Sequence, residues 1–167
     1  MKLQNPTYVV IHTAATPGKS IDISAASIRE YHIKEKGWTD IGYHWVVRFD
    51  GHAEPGRAEN VMGAHVEGFN SKSLGVCFSG NGDLSDFTPE QKSKGAQLVA
   101  QILERHGLVQ VFLKNPMHVL GHRECNELVK AGVFPGPKTS KTCPGTKVAM
   151  TEFRHLVKAA IGELGLG

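Results

Sequence analysis

Three side chains with metal-binding chemistry lie where strands end or turns begin in this sequence. His12 and His122 each follow a short apolar run, and Cys143 lies in the turn-rich segment Lys141–Gly145. Two imidazoles and one thiolate form a ligand set used by catalytic zinc, whose fourth position stays open to water. Such an ion lowers the pKa of its water to about 7, which provides a nucleophile at neutral pH. The spacing alone is weak evidence, because a lone histidine is more often structural.

The scaffold for these residues would come from four apolar segments that predict strands. They are rich in β-branched or aromatic residues and are bounded by turn-forming residues. The segments are Tyr8–Ile11, Tyr43–Phe49, Ser73–Phe78 and Met117–Leu120. Asp50-Gly51, directly after the second segment, predicts a hairpin turn. Strand ends are where a rigid scaffold presents side chains to solvent.

Three further segments carry the signals of helices. The first is predicted over Ser24–Lys36 and ends at Gly37. The second begins at Thr88, whose hydroxyl and the Gln91 side chain three residues later form a capping pattern. The third covers residues 153–164, where apolar side chains recur on one face at helical spacing.

These elements predict an α/β fold: a single mixed central β-sheet of four or five strands, flanked by about three helices. The chain has 167 residues and no repeat, low-complexity tract or linker, so we expect one domain over residues 1–167. Hydrophobic residues make up 40% and charged residues 21% of the chain, which is enough for a buried core.

Charge and hydropathy exclude several classes of function. The net charge is only +3 and the basic residues form no cluster, so no nucleic-acid partner is expected. The longest apolar run, Tyr8–Ile11, is too short for a membrane span or a signal peptide. We therefore expect no membrane insertion and a protein that starts in the cytoplasm. Three cysteines do not make a disulfide framework, and no heptad pattern calls for more than a monomer.

Five blocks between residues 10 and 145 together resemble the zinc-dependent N-acetylmuramoyl-L-alanine amidases. This family includes the phage lysozyme-like endolysins and shares its fold with animal peptidoglycan recognition proteins. The blocks, in the order of the family, are Val10–Ala14, Gly42–Trp45, Gly63–Gly75, Gly121–Glu124 and Lys141–Gly145. The resemblance implies that fold, and cleavage of the amide bond between N-acetylmuramic acid and L-alanine in peptidoglycan.

The resemblance also implies roles for seven residues. His12, His122 and Cys143 would be Zn²⁺ ligands, Tyr43 and Lys141 the catalytic pair, and His65 and Asn70 substrate-binding residues near the glycan or peptide. Lys141 lies two residues before the cysteine, so an extended segment would bring both side chains to the same side. Its ammonium would stabilise the oxyanion that forms when an amide carbonyl is attacked. Tyr43 would orient the water, relay its proton or bond the same oxyanion, and the sequence does not choose among these roles.

One departure from the family pattern affects the third ligand. Twenty residues separate His122 from Cys143, more than in the short phage relatives. Closing a longer loop adds only modest entropy, so the insertion is compatible with the site. Cys125, three residues after His122, is the competing thiol. We prefer Cys143, because Lys141 and a Pro-Gly pair surround it as they surround the cysteine of the family.

Several other residues have simpler structural interpretations. His44, His118 and Cys77 lie in predicted strands, where packing explains them without any chemistry. Trp38 and Trp45 fit either a sugar-binding groove or ordinary packing.

The whole sequence predicts a zinc amidase that degrades peptidoglycan. We expect a phage or prophage endolysin that stays in the host cytoplasm until a holin-like pore releases it to the cell wall. Two alternatives remain open: a cytoplasmic amidase that recycles wall fragments by the same chemistry, and a peptidoglycan-binding module without turnover. The presence of Cys143 beside Lys141 argues against the second alternative.

Overall fold

The centre of the fold is a five-stranded sheet, in a computed structural model that describes residues 1–167. The strands are β1 (Tyr8–Thr13), β2 (Trp45–Val47), β3 (Ala53–Pro55), β4 (Ser73–Phe78) and β5 (Val119–Gly121). Their order across the sheet is β3-β2-β4-β1-β5. β1 pairs in parallel with β4 and β5, β2 pairs in parallel with β4, and β3 is antiparallel to β2. The predicted mixed sheet is confirmed.

Five α-helices surround this sheet. They are α1 (Ala25–Lys36), α2 (Pro89–Arg105), α3 (Val109–Lys114), α4 (Cys125–Lys130) and α5 (Met150–Glu163). The end signals of the first two act as predicted. Ser24 caps α1 and Gly37 ends it with a φ of 70°, a conformation that glycine adopts without strain. At α2, Thr88 and Gln91 form a reciprocal capping box.

The two faces of the sheet are covered differently. One face carries Val9 and Ile11 and packs against α2 and α5 in the main hydrophobic core of 24 buried residues. The opposite face carries Val10 and is covered by two smaller clusters, one with α1 and one with α4. Because successive side chains of a strand alternate between faces, His12 lies on this second face.

Some local predictions need correction. The helices α3 and α4, six residues each, were not predicted, so the sheet has five helices around it rather than about three. The second strand is shorter than predicted and leaves Tyr43 outside it. The last strand begins only at Val119, because Pro116 lacks an N–H and opens a 3₁₀ turn instead. None of the helices combines the length and apolar character that crossing a membrane requires.

Candidate active site

The sheet brings two histidines together at one edge. His12 is the fifth residue of β1 and His122 directly follows β5, its parallel neighbour. The carboxyl ends of parallel strands meet at the same edge of a sheet, which is where open α/β sheets place their ligand sites. The ring centroids of the two histidines are 4.9 Å apart. Cys143 reaches the same point from the loop before α5, with its Sγ 3.6 Å from His12 Nδ1.

The three side chains fit a tetrahedral metal ion. One potential ligand atom from each of His12, His122 and Cys143 lies within 4.8 Å of the other two. Zinc bonds of about 2.0–2.3 Å at tetrahedral angles place nitrogen and sulfur ligands roughly 3.3–3.6 Å apart, so small side-chain adjustments close the site. Cys125 lies elsewhere: it is buried in α4 and its thiol points to Gly121 O at 3.9 Å.

The pKa values of the two candidate histidine ligands are lowered, so their imidazoles are uncharged and can bind a cation. Burial and, to a smaller extent, the neighbouring Lys141 ammonium together lower the pKa of His122 to about 4. Burial, together with His65, His122 and Lys141, holds the pKa of His12 well below its usual range. Both imidazoles are therefore neutral at neutral pH. Burial raises the pKa of the Cys143 thiol to about 11, so a metal ion must displace its proton.

Arg123, the residue after His122, holds the cysteine loop in place. Its backbone N–H donates to Cys143 O at 2.7 Å. Its guanidinium donates to the carbonyl oxygens of Thr142 at 3.2 Å, Gly145 at 2.7 Å and Val148 at 3.1 Å. One residue thus links the second candidate ligand to the third, although 20 residues of sequence separate them.

Two further side chains hold the same loop from the sheet side. Thr13, next to His12 on β1, donates its hydroxyl to Pro144 O at 2.9 Å. Asp83 accepts from the Thr142 hydroxyl at 2.7 Å and from Thr146 N at 2.8 Å. Sequence reasoning missed this support: Asp83 stood in a segment interpreted only as a turn, and Arg123 only as part of a motif.

Tyr43 and Lys141 both lie close to the histidines. The Tyr43 ring centroid is 5.0 Å from that of His12. Burial, with the Cys77 and Cys143 thiols nearby, raises the pKa of Tyr43 well above its usual value, so the phenol keeps its proton. Lys141 is exposed, and its backbone N–H donates to Thr139 Oγ1 at 3.1 Å. Its ammonium is near enough to lower the pKa of both candidate histidine ligands.

A cavity of about 350 Å³ opens beside this cluster. His122, Lys141, His65 and Asn70 line it together with Trp38, one of the two tryptophans for which the sequence left a groove or packing open. A second part of the lining comes from the insertion after His122 and includes residues 137–139.

The insertion is fixed in place rather than loosely attached. The Asn126 amide donates to Thr139 O at 2.9 Å and accepts from Thr139 N at 2.8 Å. Gly136 packs so closely on Gly68 that a Cβ on Gly68 would lie 2.4 Å from Gly136 Cα. These contacts give the cavity a defined second wall.

His65 and Asn70 are bound mainly to other protein groups. His65 Nδ1 lies 2.9 Å from His12 Nε2, and His65 Nε2 lies 3.4 Å from Ser73 Oγ. Asn70 Oδ1 accepts from the backbone N–H of His65 at 2.8 Å and of Val66 at 3.0 Å. Both residues line the cavity, as expected of groove residues, yet the ring nitrogens of His65 face inward.

Three other residues have structural positions: His44 and His118, as interpreted from the sequence, and Trp45, for which the sequence left two interpretations open. His44 is buried, accepts from Gly75 N at 3.0 Å and bonds Val61 O at 2.8 Å. His118 stacks on Tyr8 with ring centroids 4.4 Å apart. Trp45 donates its Nε1–H to Glu59 at 3.0 Å, which supports packing rather than a groove.

The fold and this cluster define a class: α/β proteins whose mixed sheet gathers two histidines and one cysteine that could hold a metal ion beside an open groove. The family model described as N-acetylmuramoyl-L-alanine amidase matches residues 2–146. The chain belongs to this family and is a peptidoglycan amidase, which confirms the resemblance found in the sequence.

Sequence relatives agree with this assignment, and a solved structure shares the fold. The endolysin of Klebsiella phage KP32 is 38% identical over 106 residues, 60% of this chain and 69% of that protein. Peptidoglycan-recognition protein SC2 of Drosophila melanogaster is 32% identical over 148 residues, 85% of this chain and 70% of that protein. The solved N-acetylmuramoyl-L-alanine amidase LysC from Clostridium intestinale URNW has the same fold, with a TM-score of 0.69 at 23% identity over 98% of this chain and 87% of that one.

Proposed function

We propose that this chain is a zinc-dependent N-acetylmuramoyl-L-alanine amidase and that it serves a phage as an endolysin. His12, His122 and Cys143 hold the ion in this proposal. Its main support is the convergence of two neutral imidazoles and one thiol, from three distant parts of the chain, beside a groove. The similarity to phage endolysins supports the biological role.

A zinc ion at this site would polarise the scissile carbonyl and activate a water molecule. Lys141 places an ammonium beside the candidate ligands, where it stabilises the negative charge that develops on the carbonyl oxygen. Tyr43 keeps its phenolic proton because its pKa is raised, so we assign it as a hydrogen-bond donor to the same oxygen rather than as a base.

The substrate lies in the cavity beside Lys141. N-acetylmuramic acid and the first stem-peptide residue, L-alanine, occupy the space between Trp38 and the insertion. Asn70 offers its Nδ2–H₂ group to the glycan or peptide, because its Oδ1 is engaged by backbone N–H groups. His65 contributes the exposed part of its ring to the same wall.

The cellular role completes the proposal. Residues 1–167 act as one catalytic domain and as a monomer, without nucleic-acid or membrane partners. The protein is made in the host cytoplasm and reaches the cell wall through a holin-like pore. The chain spans about two thirds of the length of the endolysins that it matches, 69% and 63% for the first two.

Digestion of purified peptidoglycan tests the enzymatic part. We expect released peptides with a new N-terminal L-alanine by mass spectrometry, no reaction after treatment with a chelator, and recovery when zinc is added back. Binding to peptidoglycan without release of peptides would replace the amidase with a binding module. Cleavage that a chelator leaves unchanged would exclude the metal.

A comparison of substrates tests the role in lysis. An endolysin must cut intact cell-wall sacculi, so we expect the chain to solubilise them at rates comparable with its cleavage of soluble muropeptides. Activity confined to soluble fragments would instead assign the chain to wall recycling.

A further inference from the structure

The ring of His65 stands between the candidate ligand His12 and strand β4. Its Nδ1 lies 2.9 Å from His12 Nε2, and its Nε2 lies 3.4 Å from Ser73 Oγ. The Ser73 hydroxyl in turn donates to Phe69 O at 2.9 Å. A continuous chain of hydrogen bonds therefore leads from His12 to a backbone carbonyl.

The backbone carbonyl of Phe69 sets the donor and the acceptor of every hydrogen bond in this series. Phe69 O only accepts, so the Ser73 proton is committed to it and Ser73 Oγ must accept from His65 Nε2–H. A neutral His65 with its proton on Nε2 presents a bare Nδ1, which accepts from His12 Nε2–H. His12 then keeps its Nδ1 lone pair free, and this is the nitrogen 3.6 Å from Cys143 Sγ.

The protein is shaped to hold the His65 ring in this position. A Cβ on Gly75 of β4 would lie 2.7 Å from His65 Cγ, and a Cβ on Gly63 would lie 2.9 Å from His65 Cδ2. The ring occupies a slot that these two glycines leave open. Asn70 fixes the backbone below it by accepting from His65 N at 2.8 Å.

We propose that His65 is a positioning residue that, with Ser73, fixes the tautomer and the ring orientation of His12. Its ring nitrogens are engaged within the protein, so they act on the reaction through His12, while only the edge of the ring reaches the cavity wall. The proposal rests on the proposed function in one respect, that His12 is a metal ligand. Partners of this kind typically contribute 10–100-fold in metal affinity.

Nitrogen-15 NMR of the metal-free 167-residue chain tests the tautomer directly. We expect the His12 proton on Nε2 in the unmodified chain, and a mixture of both tautomers in His65→Ala and, to a smaller extent, in Ser73→Ala. An unmodified protein with the His12 proton on Nδ1 would overturn the proposal without any variant, so a folding failure of His65→Ala does not remove the test.

Zinc affinity, measured by competition with a chromophoric chelator, gives the second readout. His65→Ala should bind zinc about 10–100-fold more weakly, whereas His52→Ala, which removes an exposed histidine away from the chain of bonds, should bind it normally. Equal affinity of His65→Ala and the unmodified chain would refute the positioning role alone. Failure of the unmodified chain to bind zinc would overturn the proposed function as well.

Discussion

The two thiols near His122 differ in what surrounds them, and this difference decides which one can bind a metal. Cys143 lies within reach of both histidines, whereas Cys125 is 3% exposed in α4 and points to Gly121 O. We expect Cys143→Ser to lose stoichiometric zinc on dialysis and to stop releasing peptides. Cys125→Ser should keep both properties, because serine can make the same hydrogen bond.

Atomic absorption on the dialysed proteins, with the unmodified chain as reference, measures this difference. Loss of the metal in Cys125→Ser with retention in Cys143→Ser would reverse the ligand assignment.

Lys141 is expected to act on the reaction and not on the retention of the metal. Its ammonium stands near the candidate ligands, where a positive charge stabilises an oxyanion but repels a dication. Lys141→Ala should therefore lower kcat by about 10²–10³-fold while zinc affinity stays equal or rises. Steady-state kinetics and zinc titration of the same preparations separate the two effects.

Lys138, which lines the same cavity, provides the matched control for Lys141. Lys138→Ala should change kcat by less than about threefold, since transition-state charge is stabilised only by groups aimed at it. Equal losses in both variants would mean that the cavity responds to overall charge and not to the position of Lys141.

The positions of the candidate site residues could be predicted from the sequence to different extents. The two histidines could be placed at strand ends because the apolar runs before them are short and clear. The position of Cys143 did not follow from spacing, since 20 residues separate it from His122 and a fold must close that gap. The partners of His65 could not be predicted either, because His12 and Ser73 are brought to it only by the pairing of β1 with β4.

At the scale of elements, the loop that carries Cys143 depends on its clamp by Arg123. The guanidinium donates hydrogen bonds to three loop carbonyls at 2.7–3.2 Å. Such an arrangement needs the several N–H donors that the planar guanidinium holds in fixed directions. We expect Arg123→Gln to weaken zinc binding about 10–100-fold, with Arg123→Lys recovering little of it. Far-ultraviolet circular dichroism should stay unchanged, because the sheet and helices do not rest on this side chain.

Arg29→Gln is the control for the clamp, as Arg29 lies on α1 in a half-exposed ion pair with Asp40. Its zinc affinity should equal that of the unmodified chain. Unchanged affinity in Arg123→Gln would show that the cysteine loop is held by Thr13 and Asp83 alone.

Elements with their own end signals were predictable, and elements formed by packing were not. The boundaries of α1 and α2 follow from Ser24, Gly37 and the Thr88 capping box. The six-residue helices α3 and α4 are too short to show periodicity, and each exists because a buried side chain docks it, Phe112 in the main core and Cys125 in a smaller cluster.

For the whole molecule, the sheet separates stability from chemistry. The face packed by α2 and α5 carries the 24-residue core, while the opposite face carries His12 between smaller clusters and an open groove. Substitutions in the groove are therefore expected to change activity more than stability. The free energy of unfolding is set mainly by the core on the opposite face and by side-chain interactions that connect distant segments.

Glu59 makes one such connection, because its carboxylate bonds both to strand β2 and to the end of α2. Its carboxylate accepts from Trp45 Nε1 at 3.0 Å, from Arg105 Nη2 at 2.7 Å and from His106 Nε2 at 3.2 Å. Burial by itself raises the pKa of Glu59, but the bonds from Arg105, Trp45 and His106 outweigh it and lower the pKa to about 2. The carboxylate is thus bound in its charged form.

This depressed pKa predicts how the stability of the whole chain depends on pH. The folded pKa lies below the ordinary value of 4.5, so the contribution is complete above pH 4.5 and is lost as the pH falls towards 2. The stability that the charged Glu59 contributes amounts to at most about 3 kcal/mol.

Glu59→Gln should lower the free energy of unfolding by up to that amount at pH 7, and by almost nothing at pH 2. Urea unfolding of both proteins across this range measures the difference, and Glu30→Gln, in an exposed pair with Lys34, should show little change at either pH. A constant difference between Glu59→Gln and the unmodified chain from pH 7 to pH 2 would show that Glu59 stabilises the fold by packing rather than by its charge.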